Sequence, residues 1–141
     1  MPPLAALVLF AAWGLLLVTA IGASRLLQVI FQGKKAGDFP AGTPHGSDAY
    51  WRLNRAHLNV TENLPFFGAV VIAGVLLQVQ ETLFQLLPSV VVYARFAQSL
   101  IHVTSGSRLA VILRFTCYLV QVLAMLALAA IDMRAAGVAF P

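Results

Sequence analysis

The sequence predicts an all-α membrane protein, a bundle of four transmembrane helices. Three observations carry this reading. Of 141 residues, 60% are hydrophobic and only 10% are charged, whereas a soluble domain is closer to ~25% charged. Apolar residues gather in four runs, at 4–30, 50–78, 83–103 and 108–133, each long enough to cross a hydrocarbon core that needs about 20 helical residues. Polar residues collect in the connections and at a few positions inside the second, third and fourth runs. A length of 141 residues fits one domain, residues 1–141.

The first span, 4–30, is read as a retained helix. No basic stretch precedes it, and it stays apolar from Leu4 to Ile21, longer than the h-region of a signal peptide. Arg25 lies near its far end. The connection from Gly33 to Asp48 is the one long loop, rich in Gly and Pro, and loops of this length are commonly functional. Tyr50 and Trp51 open the second span as an interfacial aromatic pair. Pro65 lies inside that span and is expected to kink it. A short link, Gln78 to Thr82, leads to the third span, which holds Pro88, Arg95 and Gln98. Thr104 to Ser107 is a turn by composition. The fourth span carries Arg114 one to two turns in.

The cations fix an orientation. Arg25, Lys34, Lys35, Arg52, Arg55, Arg108 and Arg114 lie on or near the first and third connections, and Arg134 lies at the opposite face. The positive-inside rule places those connections in the cytoplasm and both termini outside. The net charge of +4 is therefore topological, and no basic solvated face points to nucleic acid. Cys117 is the single cysteine, so there is no disulfide framework. No His-Glu-x-x-His or similar spacing points to a metal.

The ionisable groups inside the spans are the functional signal. On a helix, Arg52, Arg55, Asn59, Glu62 and Asn63 fall within an arc of roughly 100°. Arg95, Gln98 and His102 are spaced i, i+3, i+7 on one face of span three. With Arg108 and Arg114 from span four, polar groups from three spans meet at one membrane depth. Glu62 is the expected counter-ion, and one carboxylate against several arginines leaves a positive excess that an anionic ligand would neutralise. Two readings stand: functional use, the default at membrane depth, and structural pairing of the arginines with Glu62 and helix-end carbonyls. His57 lies off the arc and is read as a packing residue, Cys117 as a small apolar residue, and Phe66 and Phe67 as core.

These residues resemble the MAPEG superfamily, membrane-associated proteins in eicosanoid and glutathione metabolism. Its span-two signature, Arg-x-x-Arg-Ala-His/Gln-x-Asn-x-x-Glu-x-x-Pro, stands here as Arg52, Arg55, Ala56, His57, Asn59, Glu62 and Pro65. Ala94-Arg95 followed by Gln98 and His102 is similar to the family's span-three pattern but departs from it at both later positions, where His or Tyr and Tyr are usual. Arg114 followed by Tyr118 resembles the span-four pattern.

The resemblance implies a bacterial-type, microsomal glutathione transferase-like member. It implies a homotrimer in the bacterial inner membrane, with glutathione held between subunits near the cytoplasmic face and no metal. Carried over by position, Arg52, Arg55, Asn59, Glu62, Arg95, Gln98, His102 and Tyr118 would bind glutathione, with Glu62 at its α-amino group. Arg114 would stabilise the thiolate, with Arg108 the alternative. Phe115, where some synthases have Ser, argues against that isomerase chemistry, and Arg25 or Lys34 would supply the basic residue that the family takes from span one. The implied activity is a transferase or peroxidase acting on a hydrophobic electrophile or lipid hydroperoxide that arrives from membrane lipid. The alternative is a non-catalytic lipid- or partner-binding protein on the same scaffold.

The chemistry explains why arginine is wanted. A thiol of pKa ~8.5 is roughly 3% ionised at pH 7, and lowering it by ~2 units through a nearby cation raises that to about three quarters. Arginine stays protonated in apolar surroundings where lysine gives up its proton.

Overall fold

A computed structural model describes residues 1–40 and 42–138. Within them lie four long helices, α1 (Pro3–Gln32), α2 (Asp48–Leu76), α3 (Thr82–Thr104) and α4 (Arg108–Ala135), and one short 3-10 turn at Ala36–Asp38. At ~1.5 Å per residue, the 30 residues of α1 span about 45 Å and the 23 residues of α3 about 35 Å. Both exceed a hydrocarbon core of about 30 Å, and all four helices are apolar enough to cross one.

Local chemistry sets the helix ends. Pro3 occupies the first turn of α1, where its missing N–H costs nothing. Gly33 ends α1 in the left-handed conformation at φ +64°. Ser47 caps α2 and Ser107 caps α4, each hydroxyl accepting a bond from a first-turn N–H at 3.2 Å. The end of α2 is a Schellman motif without glycine. Gln78 takes φ +55°, its N–H donates to Val75 O at 3.1 Å, and the Val79 N–H donates to Gly74 O at 3.0 Å. The buried side chain of Val79 holds that turn against the bundle.

Short connections make α2, α3 and α4 successive antiparallel neighbours. α1 packs on α2 and α3, and α4 packs on α3 and α2, so α2 and α3 form the middle of the molecule. The core is a column of fully buried residues, among them Phe10, Val60, Phe67, Val71, Val91 and Leu128. The Phe10 and Phe67 rings meet at 5.0 Å, and those of Trp13 and Phe96 at 4.7 Å. The outward faces are also apolar: Val8, Leu15, Leu27, Phe31, Leu86 and Leu123 stand exposed, an arrangement suited to lipid and costly in water.

The first connection is folded down onto the helices. Arg25 Nε donates to Tyr50 Oη at 2.7 Å, and its guanidinium lies 5.6 Å from the Phe39 ring. His45 packs its ring 5.3 Å from Tyr50 and 6.3 Å from Trp51. Tyr50 is thereby buried beneath the loop, covered by Arg25 and His45.

The opposite end, with the α2–α3 turn, the start of α1 and the end of α4, carries Asp132. Its carboxylate is buried and neither oxygen has a partner. Gly74 makes room for it and for Phe84. Among the described residues, the ion pair within 4.0 Å is Arg134–Glu81 at this end, with N and O 3.4 Å apart.

Candidate functional site

The polar residues of spans two to four gather in the half of the bundle nearer the loop connections, in two layers. On α2, the buried stripe is Ala56, Val60, Phe67, Val71 and Gly74, and it faces the core. The polar arc therefore faces sideways and outward. Arg55 and Glu62 are exposed, and Arg52, Asn59 and Asn63 are half-buried. A stripe of this polarity at membrane depth calls for protein or a ligand to cover it. Arg52 has a partner already: its Nε donates to Val103 O at 3.3 Å, binding a carbonyl near the end of α3.

The inner layer is centred on Arg95. Its side chain is 0% exposed, and its guanidinium lies 5.5 Å from the Phe10 ring. Nη1 donates to Gln98 Oε1 at 2.7 Å, while Nε and Nη2 are buried without partners. Gln98 is buried too, and its Nε2 donates to the backbone carbonyl of Arg114 at 3.1 Å. Gln121 closes the network. Its Nε2 donates to Gln98 Oε1 at 3.1 Å and to Cys117 O at 2.8 Å.

Arg114 and His102 are half-buried, and Tyr118 is exposed. Arg108 is exposed at the first residue of α4.

Several residues stand differently from the reading of the sequence. Among the described residues Glu62 makes no direct ion pair, because the arc that carries it faces the outside of the bundle. Arg95 and Gln98 are held by each other, with no open surface of their own. Arg25 is engaged by Tyr50 and Phe39, and Lys34 lies 5.9 Å from the same Phe39 ring. Phe67 is core, but Phe66 is 68% exposed, since adjacent helix positions point about 100° apart. His57 is half-buried beside Gly14 and Val60 in a groove between α1 and α2. Gln121 and Asp132 were missed. A lone amide or carboxylate in an apolar run was the available signal, because such a group at membrane depth needs a partner.

Phe66 belongs to a groove between α2 and α4 of about 370 Å³. Asn63 and Tyr118 form its polar rim, and Val70, Val122 and Met125 line its apolar walls. Tyr118 lies one helical turn beyond Arg114, so the groove opens beside the polar layer.

The chain belongs to the MAPEG family: a model of that family matches residues 3–131. The family includes glutathione transferases and peroxidases together with other members, and is generally trimeric and glutathione-binding. With four apolar helices and this membership, the protein is an integral, multi-pass membrane protein. A comparison with curated proteins gave no match.

Proposed function

We propose that this protein is a glutathione-dependent membrane transferase or peroxidase, working as a homotrimer. The observation that carries the reading is the polar stripe of α2, where Arg55 and Glu62 stand uncovered at membrane depth, beside an apolar groove rimmed by Asn63 and Tyr118. Five arginines, Arg52, Arg55, Arg95, Arg108 and Arg114, lie in this half of the molecule, where Glu62 is the one carboxylate well inside a helical span and Asp38 and Asp48 lie at the first connection. Glutathione carries two carboxylates, an amine and a thiol, which together match a positive site holding one acid.

In this proposal Arg55 and Arg52 bind the carboxylates, since a guanidinium fork suits bidentate pairing. Asn59 bonds the peptide, and Glu62 takes the α-amino group. His102 and Tyr118 complete the walls, and Gln98 supports them from the buried layer beneath. Arg95 acts through space, as a buried charge beneath the site. Arg114 stabilises the thiolate. Its half-buried position, one turn before the groove residue Tyr118, favours it over the exposed Arg108. The thiolate sulfur then attacks the electrophilic carbon of a hydrophobic substrate and expels its leaving group. With a lipid hydroperoxide it attacks oxygen instead, and two glutathiones become a disulfide as the peroxide becomes an alcohol and water. The α2–α4 groove accommodates the apolar partner.

The outward polar stripe of α2 supports the trimer, because Arg55 and Glu62 have no cover within one protomer. The distribution of cations supports termini outside and a cytoplasmic site, consistent with a bacterial inner membrane. The single-domain reading spans residues 1–141.

The α2–α4 groove, with its apolar walls, also favours a second reading, a non-catalytic binder of lipid. Protein in native-like lipid is titrated with glutathione, followed by ultraviolet thiolate absorbance, and then given a reactive aryl halide and a lipid hydroperoxide. Binding with turnover supports the enzyme. Ligand-dependent stabilisation without turnover supports the lipid binder, and no glutathione binding rejects the enzyme.

A further inference from the structure

Gln121 lies at the middle of α4, 0% exposed, with no place in the ligand-facing layer. Its amide nitrogen nevertheless makes two bonds, to Gln98 Oε1 at 3.1 Å and to Cys117 O at 2.8 Å. Gln98 Oε1 also receives Arg95 Nη1 at 2.7 Å, and Gln98 Nε2 reaches the Arg114 carbonyl at 3.1 Å. A continuous chain of hydrogen bonds thus runs from the Arg95 guanidinium on α3 to the α4 backbone at residues 114 and 117. We propose that Gln121 is a positioning residue for Arg114: through Gln98 it fixes the rotation and height of α4 against α3, and so the place from which the Arg114 guanidinium acts.

Two physical points separate this role from ordinary packing. First, the network is a poor way to gain stability. Arg95 Nε and Nη2 and Gln121 Oε1 are buried without partners, and each unmet group costs stability that an apolar side chain of the same volume would not. Second, the elsewhere apolar surfaces of α3 and α4 carry few directional bonds to oppose a small slide or rotation. The bond to the Arg114 carbonyl is directional, and it sits at the turn where a displacement of about 1 Å matters to chemistry.

The proposal rests on the glutathione reading, and the test keeps the two apart. Full-length wild type and Gln121→Met are compared in lipid nanodiscs. Glutathione affinity is measured by calorimetry, thiolate formation by ultraviolet absorbance against pH, and backbone hydrogen exchange at Tyr118, whose amide shares the Arg114 carbonyl. Gln121→Met is expected to hold affinity within about twofold, lower the thiolate fraction below the titration midpoint roughly three- to tenfold, and speed exchange at Tyr118. Gln121→His, which keeps an N–H donor, is expected to recover part of the thiolate and is the variant to use if the Met protein does not fold. An unchanged titration midpoint with a lower melting temperature overturns the proposal, as does loss of affinity and thiolate by the same factor. If wild type binds no glutathione, the glutathione reading falls. Exchange at Tyr118 then decides the positioning alone, and unchanged protection rejects it.

Discussion

Gly74→Ala is the sharpest test of the packing that frames this molecule. A Cβ at position 74 would overlap Phe84 Cε2 and Cζ, and would lie 2.5 Å from Asp132 Oδ1. Ordinary carbon contacts are about 3.5–4.0 Å, so the neighbours must retreat on the order of 1 Å. Phe84 has no free space to enter, being 1% exposed. Moving α2 away from α3 would disturb the Schellman turn that Gly74 O closes with Val79 N–H. Overpacking of this kind costs about 1–3 kcal/mol, and the upper end is expected because both clashing groups are buried. That corresponds to a fall in melting temperature of roughly 6–12 °C for a chain of this size, read by circular dichroism in nanodiscs. Phe84→Leu removes the clashing ring atoms. The double variant is therefore expected to recover about 0.5–3 kcal/mol relative to the sum of the single variants. A melting temperature within 2 °C of wild type for Gly74→Ala, or strict additivity of the pair, would refute the packing. Glutathione affinity should survive wherever the protein is folded, since the proposed site lies at the other end of the bundle.

Other substitutions separate the roles assigned above. Arg114→Ala is expected to reduce bound thiolate at pH 7 from about three quarters to roughly 3%, while Arg108→Ala leaves most of it; the reverse result in ultraviolet titration would transfer the role to Arg108. Asp132→Asn replaces a buried carboxylate lacking partners with a neutral isostere, so chemical denaturation should show stability unchanged or raised by up to about 2 kcal/mol; a loss of several kcal/mol would mean that the carboxylate has an essential partner. Arg25→Met removes the bond to Tyr50 and the contact with Phe39, worth about 1 kcal/mol. Proteolysis within residues 33–47 should then quicken several-fold, and an unchanged cleavage rate would show that the loop is held by other contacts.

The class of this protein was legible in the chain because hydrocarbon is a simple solvent. Long apolar runs have few alternatives to a membrane-spanning helix, since the helix satisfies its own backbone. The run from Arg52 to Pro65 was specific enough to point to the family. Helical periodicity also placed Arg52, Arg55, Asn59, Glu62 and Asn63 on one arc. What periodicity cannot supply is the identity of the neighbour that covers each arc. Tertiary packing decided that Glu62 faces outward while Arg95 is enclosed, that Phe67 is core while Phe66 lines a groove, and that Tyr50 lies under a loop. It also decided that Gln121, a lone amide in an apolar run, meets Gln98 and ties α3 to α4. The physical reason is common to these cases. A side chain's direction follows from its own helix, but its burial and its bonds depend on the rotation and height of helices far away in sequence.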